Sequence, residues 1–226
     1  AYEKAFGKDH LHVATALDNL VEAYIYQGRY AEAKLLAEKS LATKKSFLGN
    51  HHIDVSTSLT NLAIIQTEQG EYAQAQTSFL QALEIGEQFY GSNHPHVAEL
   101  LDNWGKLYLL QGQYQKAEAM YSQALNTREE ILGRDHPDVA TSLSNLAQLY
   151  DFQGSTSGIE SLLNRALQIR EARLRPDHPD LALALNRIGR LYEEQARYLE
   201  AQSLYSQALE IAENALGPNH IDVAVM

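Results

Sequence analysis

Residues 132–154 read LGRDHPDVATSLSNLAQLYDFQG. This stretch decides the fold, because its landmarks recur along the chain at one fixed period. His10, His52, His94, His136, His178 and His220 stand 42 residues apart. Gly7, Gly49, Gly91, Gly133 and Gly217 precede five of them by three residues, and Arg175 breaks that series. Gly28, Gly70, Gly112 and Gly154 form a second series, with Ala196 in its fifth place. Such a period marks a repeat architecture. Five units are expected, at about 7–48, 49–90, 91–132, 133–174 and 175–216, with a partial sixth at 217–226. All five prolines lie at or beside the junctions, outside the periodic apolar stretches where proline would break a helix.

Within a unit the apolar spacing is helical. Val97, Leu101, Trp104 and Tyr108 are spaced 4, 3, 4, and Tyr114, Ala117, Tyr121 and Ala124 are spaced 3, 4, 3. Each unit is therefore a helix pair joined at a Gln-Gly turn. First helices are expected near 10–27, 52–69, 95–111, 137–153 and 179–195, and second helices near 30–47, 72–89, 114–131, 156–173 and 198–215. Gly91 and Gly133 are expected as left-handed residues ending second helices. His136 is expected near an N-cap, Pro137 at the first helical position, and Asp138 against the positive end of the helix dipole. One pair cannot bury its apolar stripe alone, but stacked pairs can. The expected fold is all-α: a right-handed superhelical solenoid of helix-turn-helix repeats, with first helices lining a concave face. The chain is expected to be a single array cut from a longer one, and its uncapped last unit to favour end-to-end self-association.

Composition narrows the function. Hydrophobic residues make up 45% and charged residues 21%, as in folded globular proteins. The absence of cysteine removes disulfides, thiolate metal sites and cysteine nucleophiles. A net charge of −11 disfavours a phosphate backbone as partner, and no apolar run approaches the roughly 20 residues that span a bilayer. Neither nucleic acid nor membrane is expected as a partner, and the expected compartment is the cytoplasm. The periodic histidines read as junction residues rather than metal ligands. No phosphate loop, nucleophile elbow or HExxH motif occurs. The chain is read as no enzyme, with no cofactor and no metal.

Asn19, Asn61, Asn103 and Asn145 share the 42-residue period on the first helices, each one step from a stripe position held by Leu20, Leu62, Trp104 or Leu146. An amide offers donors and an acceptor, so a row of them can hold an extended peptide backbone, or else bond within the scaffold. Arg187 ends the row and, with Arg190, forms the basic cluster of the concave face. These six residues are the candidate peptide-binding site. Thr15, Asp18, Glu22, Thr57, Thr60, Ile64, Glu99, Asp102, Lys106, Thr141, Ser144, Gln148 and Asn186 are expected on the same face.

Trp104-Gly105-x-x-Tyr108 with Ala117-x-x-x-Tyr121, Leu146-Ala147-x-x-Tyr150, and Ile188-Gly189-x-x-Tyr192 with Ala201-x-x-x-Tyr205 resemble the tetratricopeptide pattern. The 42-residue unit, with LGxDHPDVA between pairs, resembles the kinesin light chain subfamily. That resemblance implies a protein-protein interaction scaffold that holds a peptide or partner helix in the concave groove, with the asparagines on the ligand backbone. Kinesin light chains use a basic groove for acidic, Trp-containing peptides, whereas the first three units here present an acidic or neutral face. The repeats also resemble those of bacterial multidomain proteins, where they flank protease or nucleotide-dependent signalling modules. The alternative reading is therefore a regulatory or oligomerising segment of such a protein. Unit four departs from its neighbours at Ser155-Thr156-Ser157-Gly158, so its second helix is expected to start poorly.

Overall fold

The computed structural model describes residues 10–155 and 158–217. The partial sixth unit from Pro218 onward, with His220, lies outside the described residues. The described residues form five helix pairs and no strand, and the first helices are α1 (Leu11–Tyr26), α3 (Ile53–Glu68), α5 (Pro95–Leu110), α7 (Pro137–Phe152) and α9 (Pro179–Glu194). The second helices are α2 (Tyr30–Leu48), α4 (Tyr72–Tyr90), α6 (Tyr114–Leu132), α8 (Ile159–Arg173) and α10 (Tyr198–Leu216). The chain forms two compact units distinct from the repeats, unit 1 (Ala1–Met120) and unit 2 (Tyr121–Met226), the division falling inside α6. Among the described residues no helix is long and apolar enough to cross a membrane.

The histidine series has a direct physical role. His10, His52, His94, His136 and His178 are each the N-cap of a first helix, in extended conformation. In each, Nδ1 accepts a hydrogen bond from the backbone N–H two residues on, at 3.1–3.2 Å. That satisfies one of the donors every helix start leaves open.

The two glycine series do different work. Gly28, Gly70, Gly112 and Gly154 have φ of 69–76° and end the first helices. The residue after each returns its N–H to the carbonyl five back, as Gln113 does to Tyr108 at 2.9 Å, in a Schellman closure. Ala196 takes the same conformation at φ 59°, which costs an L-residue about 1–2 kcal/mol. Gly91 is not left-handed helical as expected: its φ of 82° goes with ψ of 161°, an extended mirror-image conformation open to glycine alone. Arg175 needs no such geometry, because α8 stops at Arg173 and Leu174 caps it at φ −100°, ψ 157°.

In unit 1, Val21, Ala33, Ala37, Leu62 and Ile65 form one cluster, and Val55, Leu59, Ala82, Ile85 and Leu100 another. Phe79, Trp104 and Tyr108 stack in sequence with centroids about 6 Å apart. Leu20, at 40% exposure, stands outside the core expected for its position. In unit 2 the core runs from Val139, Leu143 and Ile169 through Ile159, Leu163 and Ile188 to Leu185 and Ala208. Gly189 is small because the Tyr205 ring lies where its Cβ would be, 2.8 Å away. α8 starts at Ile159, three residues later than the 156–173 expected, with Gly158 left-handed at its N-cap.

Candidate peptide-binding faces

Each first helix carries its core stripe on one side, which leaves the asparagine positions at the edge of that stripe. In unit 1, Asn19 is exposed and makes no hydrogen bond among the described residues. Asn61 is 6% exposed, and its Nδ2 is closed off without a partner. Asn103 is half-buried and donates from Nδ2 to the Glu99 carbonyl at 3.0 Å, which is a scaffold use. In unit 2, Asn145 is half-buried and forms no hydrogen bond among the described residues. Lys106 is exposed but ion-paired with Glu68 at 2.6 Å.

Five residues expected on the open face are buried instead: Asp18, Thr60, Asn61, Asp102 and Ser144. The reason is a polar layer beneath the face. In unit 1 Lys44 of α2, 3% exposed, bonds Asp18 Oδ2 of α1 and the Asp54 carbonyl of α3 at 3.1 Å. Ser58 donates to the same carboxylate at 3.2 and 3.3 Å. In unit 2 Arg170 of α8 occupies the place equivalent to Lys44 and donates to Ser144 Oγ at 3.2 and 3.3 Å and to the Ala140 carbonyl at 3.4 Å. Arg128 Nη1 donates to Ser142 Oγ at 2.5 Å. Lys44, Arg128 and Arg170 are separated by multiples of 42 residues, and so are Asp18, Asp102 and Ser144. That shared period was the available signal. A lone cation reads as a solvated side chain, so only the pairing of two series reveals the layer.

Arg187 and Arg190, three residues apart, lie on one face of α9 and are both exposed. They line a cavity of about 160 Å³ in unit 2, together with Ser144 and Asp151 of α7 and Ile159 and Leu163 of α8. Arg190 is compensated by Asp151 at 2.6 Å and Glu194 at 3.6 Å. Arg187 has neither an ion pair nor a hydrogen bond among the described residues. Though solvent reaches it, desolvation by the surrounding chain, and then the charge of Arg190, lowers its pKa. Desolvation likewise lowers the Arg170 pKa; Asp180 opposes the shift and Arg187 adds to it. Both guanidinium groups remain cationic, as arginine does in proteins.

Comparisons agree with this architecture. The sequence profile of the tetratricopeptide repeat matches residues 54–130, 97–172, 158–214 and 180–226, and a second tetratricopeptide repeat profile matches residues 13–54. Repeats of a Podosopora anserina protein described as a kinesin light chain, with nearly identical TPR-like repeats, superpose with a TM-score of 0.68 at 24% identity, over 92% of this chain and 98% of that one. BtubC (BKLC) from P. vanneervenii gives 0.73 at 22% identity over 93% and 84%. Pseudomonas Aeruginosa pilF gives 0.59 at 18% over 94% and 87%. A search of the curated proteins found no match. At these identities the likeness to solved structures, kinesin light chain-like repeats among them, is one of fold. The profile matches extend over most of the sequence, and the chain belongs to the tetratricopeptide repeat family, whose repeats serve as protein-protein interaction scaffolds.

Proposed function

We propose that this scaffold captures an extended peptide along its first-helix faces, with Asn19, Asn61 and Asn103 in unit 1 and Asn145, Arg187 and Arg190 in unit 2 as ligand contacts. The observation that supports it is unspent hydrogen-bonding capacity. Of the four periodic asparagines, only Asn103 bonds within the scaffold among the described residues. A backbone peptide group supplies the complementary donor and acceptor, so a row of amides holds the ligand main chain with little regard to its side chains. The chain then works by recognition alone, with no catalytic step.

The test is the triple substitution Asn61→Ala, Asn103→Ala, Asn145→Ala, assayed against peptides selected from a random library by the unaltered protein. Each neutral hydrogen bond is worth about 0.5–1.5 kcal/mol, so three together weaken binding by about one to three powers of ten. Melting is measured on the same protein. A lowered melting temperature with unchanged affinity per folded molecule assigns the asparagines to the scaffold and refutes the reading.

A further inference from the structure

Unit 2 holds positive charge that its own carboxylates do not neutralise. At the polar layer, unit 1 pairs Lys44 with Asp18, a carboxylate 26 residues earlier. The same spacing in unit 2 pairs Arg170 with Ser144, a hydroxyl, and that hydroxyl already donates to the Ala140 carbonyl at 2.9 Å. Arg170 thus has no carboxylate within ion-pair distance among the described residues. Arg187, at the position that is asparagine in the four preceding repeats, has none either. The carboxylates nearest the cavity, Asp151 and Glu194, are engaged by Arg190, and Asp180 acts on Arg170 only through space. One uncompensated guanidinium group, Arg187, therefore lines the recess, and a second, Arg170, stands behind its Ser144 wall, in a chain of net charge −11. Ser144 links the two, since it touches Arg170 and lines the cavity with Arg187.

Two unmatched cations fit a dianion better than a carboxylate, which compensates one guanidinium. A phosphate monoester carries about −1.5 to −2 at neutral pH and offers three strong acceptor oxygens. Ile159 and Leu163, both buried, supply apolar wall beside the charge and limit competition from water. We propose that this cavity receives a phosphate monoester borne on a side chain of the bound peptide, held by Arg187, with Arg170 adding charge from behind Ser144. The proposal rests on the peptide-capture reading and names the class of peptide that unit 2 selects.

The experiment uses the full chain and four oriented peptide libraries that differ only at a fixed central residue: serine, glutamate, phosphoserine or phosphotyrosine. Inorganic phosphate is titrated in parallel while the arginine side-chain N–H resonances are followed by NMR. The expected result is at least about tenfold tighter binding of one phosphorylated library than of the serine and glutamate libraries, as expected for charge-assisted hydrogen bonds. The two phosphorylated arms tell which side chain bears the group. Arg187→Gln should remove that preference, so that the phosphorylated libraries bind no more tightly than the serine library does to the same variant. Ser144→Asp should reduce it without touching Arg187, by giving Arg170 an internal partner as Asp18 gives Lys44. Glutamate binding equal to phosphoserine makes the cavity a simple carboxylate site and overturns the proposal. Phosphate binding at millimolar concentration with no gain for either phosphorylated library marks an adventitious ion only and also overturns it. Equal binding of all four libraries overturns the proposal but leaves peptide capture standing, whereas binding of none defeats both.

Discussion

Lys44→Met is the sharpest test of the polar layer in unit 1. Lys44 and Asp18 are 3% and 5% exposed, and the pair ties α1, α2 and α3 through the Asp54 carbonyl and Ser58. Removing the cation leaves the Asp18 carboxylate buried with the Ser58 hydroxyl as its one remaining hydrogen-bond partner among the described residues. Breaking one side of a buried ion pair costs about 3–5 kcal/mol. The molecule contains its own apolar alternative. One repeat later the equivalents of Asp18, Lys44 and Ser58 are Thr60, Gly86 and Leu100. There Thr60 turns its hydroxyl onto the Ser56 carbonyl at 2.9 Å, and Leu100 Cδ1 lies 3.3 Å from where a Gly86 Cβ would stand. The triple change Asp18→Thr, Lys44→Gly, Ser58→Leu should therefore recover most of the loss. A glycine inside α2 costs about 1 kcal/mol, while exchange of a buried pair for packed apolar groups is neutral or favourable by about 1–4 kcal/mol. Urea unfolding followed by circular dichroism, with amide exchange resolving α1–α3, measures both proteins, because a repeat array can lose one end before the other. A loss under about 1 kcal/mol for Lys44→Met refutes the burial of the pair. A triple variant as unstable as the single one refutes the equivalence of the two layers.

Three further outcomes are expected. Ala196→Gly should raise stability by about 1 kcal/mol, or about 2–4 °C in the melting of its cooperative unit, because it relieves the left-handed alanine; scanning calorimetry reads it. His136→Ala should cost about 1 kcal/mol by removing the cap on α7, and His136→Asn should restore it, as seen in urea midpoints. Amides at 158–162 should exchange faster than those at 116–120, because α8 begins three residues late while α6 begins at Tyr114. Equal protection would show that packing of Ile159 and Leu163 overrides the poor start.

Much of the fold was legible because it rests on repetition. Period and apolar spacing placed each first helix to within a residue or two of its bounds. The conformations at the junctions were less legible, since a glycine reports freedom but not which use is made of it. Gly28 and Gly91 both have positive φ, yet the Gly28 series closes a Schellman turn, whereas Gly49, Gly91 and Gly217 are mirror-extended. The histidines were recognisable as junction residues, whereas their service as acceptors through Nδ1 needed coordinates.

The face was harder to read than the helices, for a physical reason. A residue beside an apolar stripe faces outward or inward according to what the next helix offers it, and that partner lies 26 or 40 residues away. Asp18 is inward because Lys44 and Ser58 meet it there. Arg190 faces outward, yet Asp151 from α7 largely cancels its charge. Arg187 keeps its charge because the carboxylates around it are engaged elsewhere. What distinguishes unit 2 is thus a guanidinium at 170 set against serine at 144, where Lys44 meets aspartate at 18 and the apolar repeat has Thr60 with Gly86, and arginine at 187 where 19, 61, 103 and 145 are asparagine. The regular positions build the scaffold. These irregular ones leave charge unmatched, and in a chain this acidic, unmatched positive charge at a cavity is where a ligand's own charge has most to gain.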